Sequence, residues 1–437
     1  MKKVLLIATG GTISSTNKGN GLEPTFSVDD ILKYCPTLKQ ICDIETNQLF
    51  ALDSTNIRPG HWLAIADTIQ RNYDKYDGFV ILHGTDTMAY SAAAMNYLIQ
   101  DSPKSIVFTG SQKPIDDPTT DAIKNITDAF TVACSDECYG VQLVFFGSII
   151  AASRARKNYS KSYFAFGSIN FPELGHVYDN KITKYINDPK KDKPVFYDYM
   201  NPNVGIIKFT PGMRNDVLSY LIDQYDGLVV ETFGVGGLPE YSDFYKQISR
   251  AVSMGKMVVM TTQVPNEGSN LSVYKVGSYL KNNFNILEAH DMTTESALCK
   301  LMWVLAQTND FNQAESLFYK TIGYDILYKW KYMNSDVQYE IYIGCSDQQN
   351  KKEIVKSNEL LKIVNDYFLK TKINYSIVEL EGGFHHSDGV FVFEKTLCIT
   401  IVGNQDFDIV RFSKGLSMYM NQECFMITKE NLLKEYR

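Results

Sequence analysis

Cysteine is sparse in this sequence, eight in 437 residues, and the eight are scattered rather than spaced like a disulfide framework. The nearest pair, Cys134 and Cys138, has no further His or Cys beside it to complete a zinc site, so no metal is expected. Basic residues are in the minority: 43 Lys and Arg against 50 Asp and Glu leave a net charge of −7, with a pI near 5.5. Phosphate-rich partners need the opposite balance, which argues against nucleic acid or an anionic membrane as a partner and favours a small molecule. Long apolar runs are missing too. Nowhere do about 18 apolar residues follow one another, which excludes a membrane-spanning helix. The opening Met1-Lys2-Lys3 followed by Val4 to Ala8 imitates a secretory signal. Its apolar run breaks at Thr9-Gly10-Gly11, so it reads as a buried first strand. Internal repeats and low-complexity tracts are absent. What is present is 44% hydrophobic residues, enough for two or three cores, and the combination fits a soluble protein of the reducing cytoplasm.

From residue 1 to about 150, short aliphatic runs at Val4–Thr9, Gly78–Leu82, Ser105–Thr109 and Val141–Phe146 alternate with helical patterns. That rhythm predicts βα units around a mostly parallel, doubly wound sheet of the flavodoxin or Rossmann kind. Ser27 is placed to cap a helix over 28–34, Pro59 suits the first turn of one over 59–72, and Ala92-Ala93-Ala94 lies inside one over 87–99. Residues 1–185 read as this larger domain. Residues 186–203, rich in Lys, Asp, Asn and Pro, read as an exposed linker. A smaller α/β domain follows over 204–328, with strands at Val204–Phe209, Gly227–Thr232 and Met257–Thr262 and a helix near 293–308. Residues 329–437 have another texture. Strands near 339–343, 373–380, 390–394, 397–402 and 424–427, with helices over 350–370 and 406–419, predict an extra α+β domain of ferredoxin-like βαββαβ order.

In open α/β sheets, ligands gather beyond the carboxyl ends of the strands. Four segments at such positions are unusually polar: Thr9-Gly10-Gly11-Thr12, Asp53-Ser54-Thr55-Asn56, His83-Gly84-Thr85-Asp86-Thr87 and Thr109-Gly110-Ser111-Gln112. Together they bring hydroxyls, a carboxylate and glycine-freed backbone amides to one crevice. Gly-Gly-Thr alone is only a tight turn. Its coincidence with Gly-Thr-Asp-Thr at another strand end carries more.

At this point the sequence resembles the bacterial-type L-asparaginases. TGGTIS at 9–14 and DGFVILHGTDTMAYSA at 77–92 look like the two signatures of that family. LDSTN at 52–56, FTGSQKP at 108–114, KSYFAFGSINFP at 161–172 and DMTTESALCKLMW at 291–303 support them. The resemblance runs unbroken from residue 1 to about 325 and is nearest to the cytoplasmic type I branch. It implies hydrolysis of L-asparagine to L-aspartate and ammonia without a cofactor, and assembly as a homodimer or homotetramer. It also implies that Thr12 is the nucleophile of an acyl-enzyme and that Thr85, Asp86 and a lysine form a supporting triad. Counting back from Ser168-Ile169-Asn170 puts that lysine at Lys157, with Lys161 as the nearby rival. A zwitterionic substrate needs partners for both charges. The resemblance assigns these contacts to Asp86, Asp53 and Ser54, with Thr55, Gly11, Gly84 and Ser111 around them. The alternative for Asp53 and Ser54 is a cap on the helix holding Trp62.

One departure is the loop 17–24, where many family members carry a tyrosine and this chain has none; Gly19 and Gly21 still suit a lid. His83 is expected to pack or hydrogen-bond at a strand end, and His385-His386 with Asp388 to form a surface loop. Two other readings remain. One is an amidotransferase subunit that supplies ammonia to transfer-RNA-linked synthesis, although such subunits usually bear an additional N-terminal domain. The other is an amino-acid sensor, which would not need Thr12, Thr85, Asp86 and Lys157 together.

Overall fold

The structure is a computed structural model. It describes residues 1–327 apart from Lys18, Asn20, Asp188 and Glu240, and beyond them 337–344, 361–365, 368, 374–385, 391–403 and 426–431. The chain divides into two compact units, Met1–Leu327 and Tyr328–Arg437.

In the first unit, strands β1 (Lys3–Gly10), β2 (Asp43–Leu52), β3 (Gly78–Leu82), β4 (Ser105–Thr109) and β5 (Gly140–Phe145) run parallel. The sheet continues antiparallel through β6 (Ser148–Ala151), β7 (Gly175–Tyr178) and β8 (Lys181–Lys184), in the order β8-β7-β6-β5-β4-β3-β1-β2. Its parallel half has the 2-1-3-4-5 order of flavodoxin-like sheets, whose winding reverses between β1 and β3. Every residue of β3 and β4 is buried, which is why both read as unbroken apolar runs. Leu5, Ile7, Phe79, Ile81 and Phe108 face α2 (Pro59–Asn72) and α3 (Met88–Leu98). Their neighbours Val4, Leu6, Val80, Leu82 and Val107 face α1 (Val28–Lys33) and α4 (Ala122–Ala133). The two-residue period thus fills two cores from one sheet. Ser27 caps α1 in a reciprocal box with Asp30, and Pro59 opens α2.

The second sheet of this unit is parallel throughout: β9 (Val204–Lys208), β10 (Gly227–Thr232), β11 (Met257–Thr262) and the short β12 (Leu287–Glu288). Helix α8 (Thr294–Gln307; α5, α6 and α7 are Asn215–Gln224, Phe244–Ser253 and Lys275–Asn283) joins the two sheets, its Trp303 stacking on Tyr97 of α3. Residues 186–203 are not simply an exposed linker. Val195–Phe196 pairs with Ile99–Gln100, and Phe196 and Tyr197 set their rings edge-on to Tyr73 and Trp303. Two aromatic rings supply enough apolar area to pin a stretch whose composition is otherwise polar.

The second unit contains an antiparallel sheet, β13 (Val337–Gly344), β14 (Asn374–His385), β15 (Phe391–Gly403) and β16 (Met426–Asn431), in the order β14-β15-β13-β16. Strand β15 separates β13 from β14, so the connection between them crosses over, as in the split βαβ arrangement of ferredoxin-like sandwiches. The strands expected at 390–394 and 397–402 are one strand here, because β14 pairs with it along its whole length. Of the helix expected over 350–370, residues 361–365 and 368 are described as helical, and Val364 and Phe368 pack with Ile341, Leu397 and Ile399. The helix expected over 406–419 lies outside the described residues, as do His386 and Asp388; His385 ends β14.

Candidate active site

The crevice at the β1/β3 reversal is closed by backbone contacts that only glycine permits. Gly11, just past β1, has φ +87°, and a Cβ there would lie 2.3 Å from the Gly84 Cα. A Cβ on Gly84 would meet the Ser54 side chain at 2.8 Å and the Gly11 Cα at 3.0 Å. Three strand ends therefore touch at Gly11, Ser54 and Gly84. The Gly11 amide donates to Leu52 O of β2 at 2.9 Å, and Thr87 Oγ1 donates to Ser54 O at 2.8 Å. Thr12 and Thr85 each follow one of the two touching glycines, so they flank the same spot.

Thr85 is buried and its hydroxyl is engaged on two sides. Lys157 Nζ donates to Thr85 Oγ1 at 2.7 Å and to Asp86 Oδ1 at 2.6 Å. Thr85 in turn donates to Gln112 Oε1 at 3.2 Å. Lys157 reaches them from Ala155–Lys157, which pairs with Phe166–Ser168. Lys161 sits exposed in the connection between those two strands. Three residues before Lys157, Arg154 is wholly buried. It donates to Tyr324 O and Asp291 O at 2.6 Å each, and to the Asp291 carboxylate at 2.7 Å.

Behind the cluster, His83 is buried and spans Gly84 O, 2.7 Å from Nδ1, and Ser91 Oγ, 2.9 Å from Nε2. Trp62 Nε1 can only donate, and it donates to Ser91 Oγ at 2.9 Å, so the serine proton goes to His83 Nε2 and the histidine proton to Gly84 O. Burial pushes His83 down to about 4, so the ring stays neutral at physiological pH.

On the opposite wall, Ser54 is buried, whereas Asp53 and Thr55 are exposed. Asp53 does not cap the helix of Trp62. Its carboxylate accepts from the Thr55 amide and hydroxyl at 2.9 Å each, closing the short turn Ser54–Asn56. Thr12 is half-buried, and its hydroxyl makes no hydrogen bond among the described residues. Thr12 leads into a hairpin, Ser15–Asn17 with Leu22–Pro24, whose Gly19 and Gly21 have φ of +96° and +115°. Ser111, selected from sequence for its hydroxyl, spends that hydroxyl on the Lys113 carbonyl. The next residue, Gln112, is the one whose side chain enters the cluster. The polar segment 109–112 marked the region, but no spacing rule points to Gln112 within it.

A hydroxyl, an ammonium and a carboxylate in contact at a flavodoxin-like crevice, beside a second threonine on a glycine turn, are the groups of an α/β hydrolase that attacks through a hydroxyl. Residues 3–190 match the family described as "Asparaginase, N-terminal", and residues 203–318 match "Glutaminase/Asparaginase C-terminal domain". The chain belongs to the asparaginase family. It is 35% identical over 326 residues to an L-asparaginase of Thermococcus kodakarensis, which covers 74% of this chain and 99% of that protein. It is also 32% identical over 329 residues to a Glutamyl-tRNA(Gln) amidotransferase subunit of Pyrococcus furiosus, covering 72% of this chain and 74% of that one. Among solved structures, the thermostable L-asparaginase from Thermococcus kodakarensis matches with a TM-score of 0.71 at 34% identity, over 75% of this chain and all of that one. L-asparaginase I from Vibrio cholerae matches with 0.67 at 28%, over 75% and 99%. No described helix is long and apolar enough to cross a membrane.

Proposed function

We propose that the chain hydrolyses L-asparagine to L-aspartate and ammonia through a Thr12 acyl-enzyme. An amide is a poor electrophile and a threonine hydroxyl a poor nucleophile, so both need help. In this reading Thr12 Oγ1 attacks the side-chain amide carbon, and the tetrahedral oxyanion collapses to the threonyl ester as protonated nitrogen leaves as ammonia. Water then adds to the ester and expels Thr12, giving aspartate. Thr85, Lys157 and Asp86 move and hold the protons of these steps, the carboxylate orienting the ammonium. Asp86 and Asp53 face the substrate ammonium, Ser54 its carboxylate, and Thr55, Gly11, Gly84 and Ser111 shape the pocket. The Ser15–Pro24 hairpin is the lid that excludes water. The enzyme works in the cytoplasm as a homodimer or homotetramer and uses no cofactor.

The observation that carries this reading is the Lys157 ammonium bonded at once to Thr85 and Asp86. The specific activity could also be that of an ammonia-supplying subunit, since the amidotransferase subunits match at nearly the same identity. The free-standing hydrolase is favoured by coverage: the match takes in 99% of the Thermococcus asparaginase but leaves a quarter of each amidotransferase subunit unaligned. Ammonia release from L-asparagine and L-glutamine by the purified chain, with no partner protein or transfer RNA, tests it. Turnover of asparagine that falls by about 10³-fold or more in Thr12→Ala is expected. A folded wild type with no turnover on its own sinks the proposal and favours the ammonia-supplying role.

A further inference from the structure

We propose that Gln112 is a positioning residue for this reaction: its side-chain oxygen holds the Thr85 proton, so that the threonine turns a lone pair to Lys157. The proposal rests on the reading of the site given above and assigns a role to a side chain outside the Thr12, Thr85, Asp86 and Lys157 set.

The donors and acceptors leave little freedom in placing the hydrogens. An ammonium has no lone pair, so at 2.7 Å from Lys157 Nζ the Thr85 oxygen must accept. Its own proton then points elsewhere, and Gln112 Oε1 at 3.2 Å receives it. The carboxamide cannot be turned over, because Gln112 Nε2 donates to Ser162 O at 3.0 Å and the flipped amide would set its oxygen against that carbonyl. Gln112 is itself fixed from behind. Its backbone amide donates to both oxygens of Asp121, at 3.1 and 3.0 Å, and the Lys113 amide donates to Asp121 Oδ1 at 3.2 Å. Asp121 is buried at the start of α4 and also accepts from Asn125 Nδ2 at 3.0 Å. A buried carboxylate thus sets the turn, the turn sets the carboxamide, and the carboxamide sets Thr85.

An amide oxygen is far too weak a base to remove a threonine proton, so Gln112 orients and does not abstract. The resting hydroxyl is neutral and parked. For Thr85 to pass its proton to Lys157, the ammonium must first give one to the Asp86 carboxylate it bonds at 2.6 Å, and the Thr85 O–H bond must swing from Gln112 to the amine. Because the 158–165 connection is tied to Gln112 through Ser162, the same carboxamide links the position of that loop to the direction of the Thr85 proton.

The test compares Gln112→Met and Gln112→Glu with wild type and Thr85→Ala in the full chain. Methionine keeps the volume and removes both hydrogen bonds; kcat for asparagine is expected to fall about tenfold, with KM within about threefold, since the lost bond is a neutral one that does not touch substrate. Glutamate keeps an acceptor for Thr85 but sets a carboxylate behind it that opposes deprotonation of Lys157, so its kcat is expected to fall at least as far as that of Gln112→Met, with KM again within about threefold. A Gln112→Met enzyme within twofold of wild type overturns the proposal. A second readout needs no turnover: competitive acetylation of Lys157 by acetic anhydride, read by mass spectrometry. The new carboxylate in Gln112→Glu should hold Lys157 protonated and slow its acetylation about threefold against wild type, with Gln112→Met unchanged. Equal rates in Gln112→Glu and wild type overturn the placement of Gln112 behind Thr85. Absence of ammonia release from every protein, wild type included, would instead remove the asparaginase reading.

Discussion

Two ion pairs stand three residues apart on the same short segment, and they differ in almost every respect. Arg154 and Asp291 are 0% and 2% exposed, and the guanidinium also donates to two carbonyls besides the carboxylate. Lys157 and Asp86 are 17% and 60% exposed, and the lysine spends its other bond on a hydroxyl. The first pair is walled in by protein and fastens the segment to the turn between β12 and α8 and, through the Tyr324 carbonyl, to the end of the first unit. The second opens on the crevice, where its charge can act on something that is not part of the chain. A buried pair is costly to break because the survivor is left unpaired, whereas a half-exposed pair contributes little to stability. Function and stability should therefore separate across three residues. Lys157→Met is expected to lower asparagine turnover by about 10³-fold or more while urea unfolding moves by no more than about 1 kcal/mol. Arg154→Leu should cost about 3–5 kcal/mol in the same unfolding measurement, by removing the cation that balances the buried Asp291 carboxylate and the donor to the Tyr324 carbonyl. If Lys157→Met unfolded the protein, or Arg154→Leu left it as stable as wild type, the contrast would collapse.

That contrast marks where sequence reasoning reaches and where it ends. Strands β3, β4, β10 and β11 are legible to the residue, because a strand buried on both faces must be an apolar run with polar ends. The crevice is legible too, since polar and glycine residues after such runs have few other uses. Lys157 emerges only by counting within a family resemblance; nothing in Arg154-Ala155-Arg156-Lys157 says which charge is buried in protein and which faces the crevice. The partners decide that, and they lie far off in sequence, at Asp291 for one and Asp86 for the other. Gln112 is hidden for the same reason: its role depends on Asp121 and Ser162, which sequence spacing does not connect to it. Residues 195–197 show the converse error, a polar composition masking two aromatic residues, Phe196 and Tyr197, that pin the chain.

A smaller effect sharpens the comparison between walled-in and open groups. His83 and His290 are both buried, and burial pushes each down to about 4 from the usual 6.5. Between those values the unfolded chain binds protons that the folded chain refuses, so stability is full above about pH 6.5 and is lost as the pH falls toward 4. Each histidine should contribute a slope of about 1.4 kcal/mol per pH unit within that window. Urea unfolding of His83→Gln between pH 6 and 5 should show the dependence reduced by about one proton. The glutamine can still reach Gly84 O or Ser91, which limits the cost to packing. An undiminished slope would mean that the ring takes up a proton in place, and that the Trp62–Ser91–His83–Gly84 chain is not closed as described.

The smallest effect concerns the boundary between the two compact units. Leu327, the last residue of the first, donates its amide to the Asp291 carboxylate at 3.2 and 3.3 Å, so the buried pair also anchors the point where the chain leaves. Upstream, Asp325 accepts from Lys300 at 2.5 Å and Tyr97 at 3.0 Å, and Ile326 is fully buried. These contacts involve no residue beyond 327. A chain ending at Leu327 keeps every one of them, and the family matches end at or before this region. Its asparagine turnover should stay within about threefold of the full chain and its unfolding free energy within about 1 kcal/mol, as expected for a compact unit with its own core. Kinetics and urea unfolding of the shortened protein decide it. Loss of turnover in a folded protein of unchanged stability would show that residues 328–437 act on the crevice, with Asp291 and Arg154 as the connection to examine next.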